Sequence, residues 1–214
     1  GFDLTQKNLF GPLLCGGAVV IPAMDEYDAE VVAADIARTQ ATHINCAPSA
    51  FYALVEHLDE ARAKQLQSLR WVYLGGEPIR MNALYNWLQH PTCKAQVVNS
   101  YGPTECTDIA AYYEIDVERD LSASALPIGR PNYNVRLYVL GEQQELLPVG
   151  AIGELYISGD GVGPGYLNNT ELTAQAFLPN PHQPGDIIYR TGDRVRYRTD
   201  GVIEYLGRRD HQMK

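Results

Sequence analysis

The sequence predicts an α/β protein: a mostly parallel sheet with flanking helices, followed by a smaller antiparallel, β-barrel-like part. Two changes of texture predict it. Up to about residue 112, short apolar runs alternate with stretches of helical period, the signature of strand-helix-strand units. From residue 113 the apolar runs become short, alternating and separated by turn residues, as in antiparallel meanders and small barrels. A third observation bounds the size: 214 residues at 45% hydrophobic content suffice for a buried core.

In the first part, an apolar run at 18–21 is followed by a helix over 29–39 and a strand over 43–46. A helix over 48–58, a strand over 69–74, a helix over 80–88 and a strand over 96–99 complete the series. In the second part, strands are expected over 136–140, 153–158, 187–196 and 202–206, with a single short helix at 171–177. The resulting division is 1–112, 113–208 and a short tail, 209–214. In sheets of the first kind, ligands bind at the carboxyl ends of strands. Two strands there run into informative loops, Leu74-Gly75-Gly76-Glu77 and Asn99-Ser100-Tyr101-Gly102.

Composition excludes several classes. A net charge of −9 repels phosphate backbones and argues against nucleic acid as a partner. The stretch 11–24 is broken by Pro and Gly and is shorter than a membrane span, so no membrane association is expected. No basic segment precedes an apolar one at the start, and a cytoplasmic location is expected. The opening Gly1-Phe2-Asp3 and the closing Gln212-Met213-Lys214 read as cuts inside a longer chain. Cys15, Cys46, Cys93 and Cys106 lack C-x-x-C spacing and nearby histidines, so buried reduced thiols are expected rather than a zinc site.

Four loops carry the chemistry. In Asn99-Ser100-Tyr101-Gly102-Pro103-Thr104-Glu105, Gly-Pro forces a turn after a strand, and a hydroxyl and a carboxylate follow at once. A hydroxyl suits a phosphate oxygen, a carboxylate suits Mg²⁺, and Tyr101 offers a flat face to a purine. The same pattern also describes a plain strand-exit turn with an exposed acid. The segment 153–166 is rich in glycine but lacks a following helix and a Walker-type lysine. A turn in which backbones approach closely is the better reading. In Tyr189-Arg190-Thr191-Gly192-Asp193, the acid suits the two hydroxyls of a ribose, or an Asx turn of the sheet. The charged stretch 205–214 is either a frayed tail or the start of a linker.

Together, and in this order, the four loops resemble the adenylate-forming superfamily, and within it the adenylation domains of nonribosomal peptide synthetases. The resemblance covers the whole chain, from Phe2-Asp3-Leu4-Thr5 to the closing Gly207-Arg208-Arg209-Asp210-His211-Gln212-Met213-Lys214. One departure is local: Gly163-Pro164-Gly165-Tyr166 stands where the family usually has Ala-Arg-Gly-Tyr.

The resemblance implies the N-terminal core of an enzyme that turns an amino acid and Mg-ATP into an aminoacyl adenylate and pyrophosphate. The family then loads the aminoacyl group onto the phosphopantetheine thiol of a peptidyl carrier protein, next to a condensation domain in the same polypeptide. On that pattern Tyr101 would stack on adenine, and Asn99, Ser100, Gly102 and the Gly75-Gly76 backbone would line the nucleotide slot. Thr104 would contact the α-phosphate and Glu105 would hold Mg²⁺. Asp193, helped by Tyr205 and Arg208, would bind the ribose. Asp210 would be the hinge of a small C-terminal lid. Asp3 would pair with the substrate's α-ammonium group, which needs a carboxylate partner once desolvated; helix capping is the plainer role for that acid. Leu4, Lys7, Asn45, Val72, Leu74, Ser100, Asp108 and Ile109 would line the side-chain pocket. Leu74, where relatives have Gly or Ala, narrows it, and Lys7, Asn45, Ser100 and Asp108 make it polar. The expected substrate is a small or medium polar amino acid, or an acidic one paired with Lys7. The family's Ser/Thr/Gly-rich Lys-Gly loop and lid lysine are not among these residues, so the isolated piece is expected to be inactive. Two other readings stand beside this one: an acyl-CoA ligase or luciferase-like relative, and a non-catalytic docking scaffold.

Overall fold

The computed structural model describes residues 4–121, 123 and 125–209. Backbone packing divides the chain into two compact units, Gly1–Asn99 with Glu114–Leu126, and Ser100–Tyr113 with Pro127–Lys214.

The first unit is the α/β part. It begins with α1 (Leu4–Leu14), α2 (Ala29–Thr39), β1 (His43–Cys46) and α3 (Pro48–Val55). It continues through α4 (Glu60–Leu66), β2 (Trp71–Gly75), α5 (Met81–Leu88) and the start of β3 (Gln96–Tyr101). β1 and β2 are parallel, with Ile44 opposite Val72, Asn45 opposite Tyr73 and Cys46 opposite Leu74. α2 starts where Asp28 accepts from the Glu30 and Val31 amides, and it buries Val32, Ala33 and Ile36, an i, i+1, i+4 stripe. Phe51 of α3 meets Trp87 of α5 edge-on, with ring centroids 5.0 Å apart.

Two expectations fail here. The helix predicted over 48–58 stops at Val55, and a separate α4 follows. Asp59 is the reason: its carboxylate accepts from the Arg62 amide at 2.7 Å and starts a new helix. The run 18–21 forms no strand, and Val20 and Ile21 are exposed. Pro22, which follows, cannot donate to a ladder. The thiols also differ from expectation: Cys106 is buried, but Cys15 is exposed just beyond α1.

The second unit takes over at Ser100. After β3 come a single 3₁₀ turn (Thr104–Cys106) and β4 (Ala111–Glu114). One helical turn, α6 (Val117–Asp120), capped by Asp116, belongs to the first unit. The second unit resumes with β5 (Arg130–Pro131), β6 (Val135–Leu140), β7 (Gly153–Gly159), α7 (Thr170–Ala176) and β8 (Phe177–Pro179). β9 (Ile187–Tyr197) and β10 (Ile203–Arg208) close it. β4 pairs antiparallel with β5. The larger sheet runs β10-β9-β7-β6, all antiparallel, with β8 on β9. Leu137, Val139, Leu155, Ile157, Tyr189, Val195 and Ile203 make its core. The architecture is the predicted one: an α/β sheet with flanking helices, then a curled antiparallel sheet. No helix among the described residues is long and apolar enough to cross a membrane.

Candidate functional site

The second unit gathers two carboxylates, each in its own setting. The first lies on the loop leaving β3. A Cβ at Gly102 would fall 1.8 Å from the Asp108 carbonyl oxygen, so only glycine fits there. Thr107 and Asp108 both have positive φ, 57° and 72°, a left-handed pair that costs roughly 1–3 kcal/mol per residue. The glycine-rich segment holds this strained loop. Gly163 N–H donates to the Glu105 carbonyl at 2.8 Å, and Thr107 Oγ1 donates to the Gly161 carbonyl at 2.7 Å. A Cβ at Gly161 would lie 2.7 Å from the Cys106 carbonyl oxygen. The glycines therefore serve close backbone approach, as the sequence favoured. Thr104 is exposed on the 3₁₀ turn, and the half-buried Glu105 accepts at Oε1 from the Tyr166 hydroxyl at 2.7 Å. Burial first, and then the bond to Glu105, push the Tyr166 hydroxyl pKa up.

The second carboxylate, Asp193, is 1% exposed on β9. The Tyr101 hydroxyl donates to its Oδ2, and Arg208 Nη1 stands 3.3 Å from its Oδ1. Thr191 Oγ1 accepts from the Asp193 amide at 3.0 Å and donates to the Leu155 carbonyl at 2.8 Å, which ties this part of β9 to β7. Arg208 arrives through a β-bulge: Tyr205 faces Val195, but Arg208 faces Asp193, so three steps on β10 match two on β9. Gly207, at φ 104°, absorbs the extra residue. Tyr205 tilts against Tyr101, with centroids 6.5 Å apart. Burial, then the Asp193 charge, hold the Tyr101 hydroxyl well above its ordinary pKa.

A family model described as AMP-binding enzyme matches residues 1–167. The chain belongs to the AMP-binding enzyme family. Bacitracin synthase 3 of Bacillus licheniformis is 42% identical over 213 residues, covering 100% of this chain and 3% of that protein. Tyrocidine synthase 3 of Brevibacillus parabrevis is 40% identical over 222 residues, again covering 100% of this chain and 3% of that protein. Among solved structures, a nonribosomal peptide synthetase protein containing adenylation and PCP domains superposes with a TM-score of 0.88 at 30% identity, over 100% of this chain and 42% of that one. The synthetase FmoA3, in an α-methyl-L-serine-AMP bound form, superposes with a TM-score of 0.88 at 31% identity, over 99% of this chain and 24% of that one. The chain spans about 3% of the length of these two synthases.

Within this family member, the second unit joins Tyr101, Asp193, Tyr205 and Arg208 in one cluster, and sets Thr104 and Glu105 on one turn. Ser100 is buried there, and its Oγ has no hydrogen-bond partner among the described residues. Asp108 and Ile109 follow on the same loop, half-buried. In the first unit, Val72 and Leu74 are fully buried on one face of β2. Asn45, opposite Tyr73, leaves the sheet on the other face, so the structure does not bring it together with Val72 and Leu74; Asn45 and Leu74 sit near the carboxyl ends of their strands and Val72 near the start of its own. Gly75 is buried, Gly76 turns the chain at φ 84°, and Asn99 is half-buried on β3. Lys7 is half-buried on α1, and Leu4 opens that helix. Asp3 and Asp210 lie outside the described residues. Three contributors escaped the sequence reading: Tyr166, Thr191 and Asn8. Tyr166 and Thr191 had a signal, one at the end of the glycine segment and the other inside the Thr-Gly-Asp string; Asn8 had none.

Proposed function

We propose that this chain is the nucleotide- and amino-acid-binding core of an adenylation domain in a nonribosomal peptide synthetase. The parent protein joins an amino acid to the α-phosphate of ATP, releases pyrophosphate, and passes the aminoacyl group to the phosphopantetheine thiol of a carrier domain in the same polypeptide. The observation that carries this reading is the pair of carboxylate settings in the second unit: a closed Asp193–Tyr101–Arg208 cluster and an open Thr104–Glu105 turn.

Among the described residues, no three His, Cys, Asp or Glu side chains group to cage a metal. A lone, half-buried carboxylate beside an exposed hydroxyl fits Mg²⁺, which keeps waters and takes its other ligands from phosphates. Glu105 would hold that ion, whose charge offsets the charge building up on the phosphates during transfer. Tyr166 aims the Glu105 carboxylate through its O–H, and Thr104 donates its hydroxyl to the α-phosphate. Asp193 holds Tyr101 and Arg208 in place and binds the ribose hydroxyls. Tyr101 and Tyr205 flank the adenine. Asp3 pairs with the substrate ammonium group; Lys7 and Asn45 in the first unit, and Ser100 and Asp108 in the second, each favour a small or medium polar side chain, or an acidic one. Asp210 is the lid hinge. The 214 residues alone form no adenylate, because neither the Lys-Gly phosphate loop nor the lid lysine is among them.

The test is amino-acid-dependent ATP–pyrophosphate exchange by the full-length protein across the twenty proteinogenic amino acids. Exchange with one or a few polar amino acids is expected. A preference for a bulky aromatic amino acid would sink the pocket assignment, and CoA-dependent ligation would move the protein to the acyl-CoA ligases.

A further inference from the structure

The orientation of one half-buried amide in the first unit is fixed by a chain of hydrogen bonds that ends on an atom with no freedom of role. Asn8, on α1, donates from Nδ2 to the Asn45 backbone carbonyl at 3.2 Å. A carbonyl oxygen only accepts, so the NH₂ of Asn8 must face it. The Asn8 Oδ1 is thereby turned to the Asn45 side chain, which donates to it from Nδ2 at 2.7 Å. An Asn45 amide with its nitrogen committed in this way points Oδ1 the other way. That Oδ1 is buried and has no hydrogen-bond partner among the described residues. A buried acceptor left unpaired is costly, so this oxygen calls for a donor.

We infer that Asn8 is a positioning residue for substrate selection: it locks Asn45 as an acceptor, so the activated amino acid carries a hydrogen-bond donor on its side chain. Hydroxyl, carboxamide and cationic side chains meet the requirement. A carboxylate, which only accepts, and an apolar isostere do not. This rests on the reading of Asn45 as a side-chain pocket residue, and it decides between the two substrate classes proposed above, against the acidic one. A site built to pair with a donor rejects analogues lacking it far more strongly than an apolar pocket rejects a change of size. Without Asn8, the Asn45 amide is free to turn over and present either end.

The measurement is the kcat/KM of pyrophosphate exchange by the full-length protein for isosteric pairs, Asn against Asp and Thr against Val. The donor-bearing member of the better-used pair is expected to win. In Asn8→Ala and in Asn45→Ala that ratio falls about tenfold or more, the KM for ATP is unchanged, and the double variant falls no further than either single one. Asn8→Ser, which keeps a small polar group on the helix, repeats the result if Asn8→Ala folds poorly. A wild-type preference for Asp or for Val overturns the inference while leaving the adenylating activity in place. An unchanged ratio in a folded Asn8 variant overturns the role of Asn8. Absence of exchange with every amino acid overturns the adenylation reading itself, and this inference with it.

Discussion

Asp193, on β9, and Glu105, on the 3₁₀ turn, are both acids of the second unit, and they are held in opposite ways. Asp193 is almost wholly buried, with a tyrosine hydroxyl on one oxygen and an arginine on the other. Glu105 is half-buried, with one tyrosine hydroxyl on one oxygen. A buried carboxylate must be matched by its own structure before any ligand arrives, because an unpaired buried charge is not tolerated. A half-exposed carboxylate keeps part of its coordination for something that comes and goes. Asp193 is therefore built into the fold, and removing it should be felt first as lost stability. Glu105 hardly takes part in folding, and removing it should be felt first as lost activity.

The largest break is Asp193→Ala. It leaves Arg208 and the Tyr101 hydroxyl facing each other without the acid, and breaking such a pair costs about 3–5 kcal/mol. Chemical denaturation of the full-length protein should show the unfolding transition that includes this region moving to lower denaturant. A shift below about 1 kcal/mol would erase the contrast between the two acids. Glu105→Gln comes next: exchange falls by about 100-fold or more, while the same transition moves by less than about 1 kcal/mol.

Tyr101→Phe follows, at about 1.5–3 kcal/mol for a hydrogen bond to a charged group. It also has a pH signature. The folded pKa of Tyr101 lies above the ordinary 10.0, so its contribution to stability is complete below about pH 10 and drains away as the pH rises further. Wild type should therefore lose more stability than Tyr101→Phe on going from neutral to strongly alkaline pH. The smallest effect is Tyr166→Phe, which removes one neutral donor from Glu105: about 1 kcal/mol or less in stability, with a larger relative effect on exchange.

Local signals in the sequence located most elements. The helix over 29–39 and the strand over 43–46 coincide with α2 and β1, because Asp28 marks the helix start and the apolar period is unbroken. The helix over 48–58 overran α3 by three residues, and α4, which Asp59 caps, was missed because it is short and carries little apolar period. The run 18–21 misled because β-propensity without a pairing partner does not make a strand. The site divides along the same line. Tyr101, Glu105, Asp193 and Arg208 were legible through the family's motifs. Tyr166 reaches Glu105 across 61 residues of sequence, and Asn8 reaches Asn45 across 37, so only the folded chain reveals either contact. The bulge that delivers Arg208 was equally silent: Gly207 alone does not say which residue it re-aims.

The central claim, that Glu105 serves the nucleotide-bound metal, is tested most directly by one titration. The exchange rate of the full-length protein would be followed against Mg²⁺ concentration for wild type and Glu105→Gln, at saturating ATP and preferred amino acid. The account predicts that the variant needs at least about tenfold more Mg²⁺ for half-maximal exchange, at a lower plateau. Superimposable Mg²⁺ curves after scaling would contradict it, and would leave Glu105 as an exposed acid on a strand-exit turn.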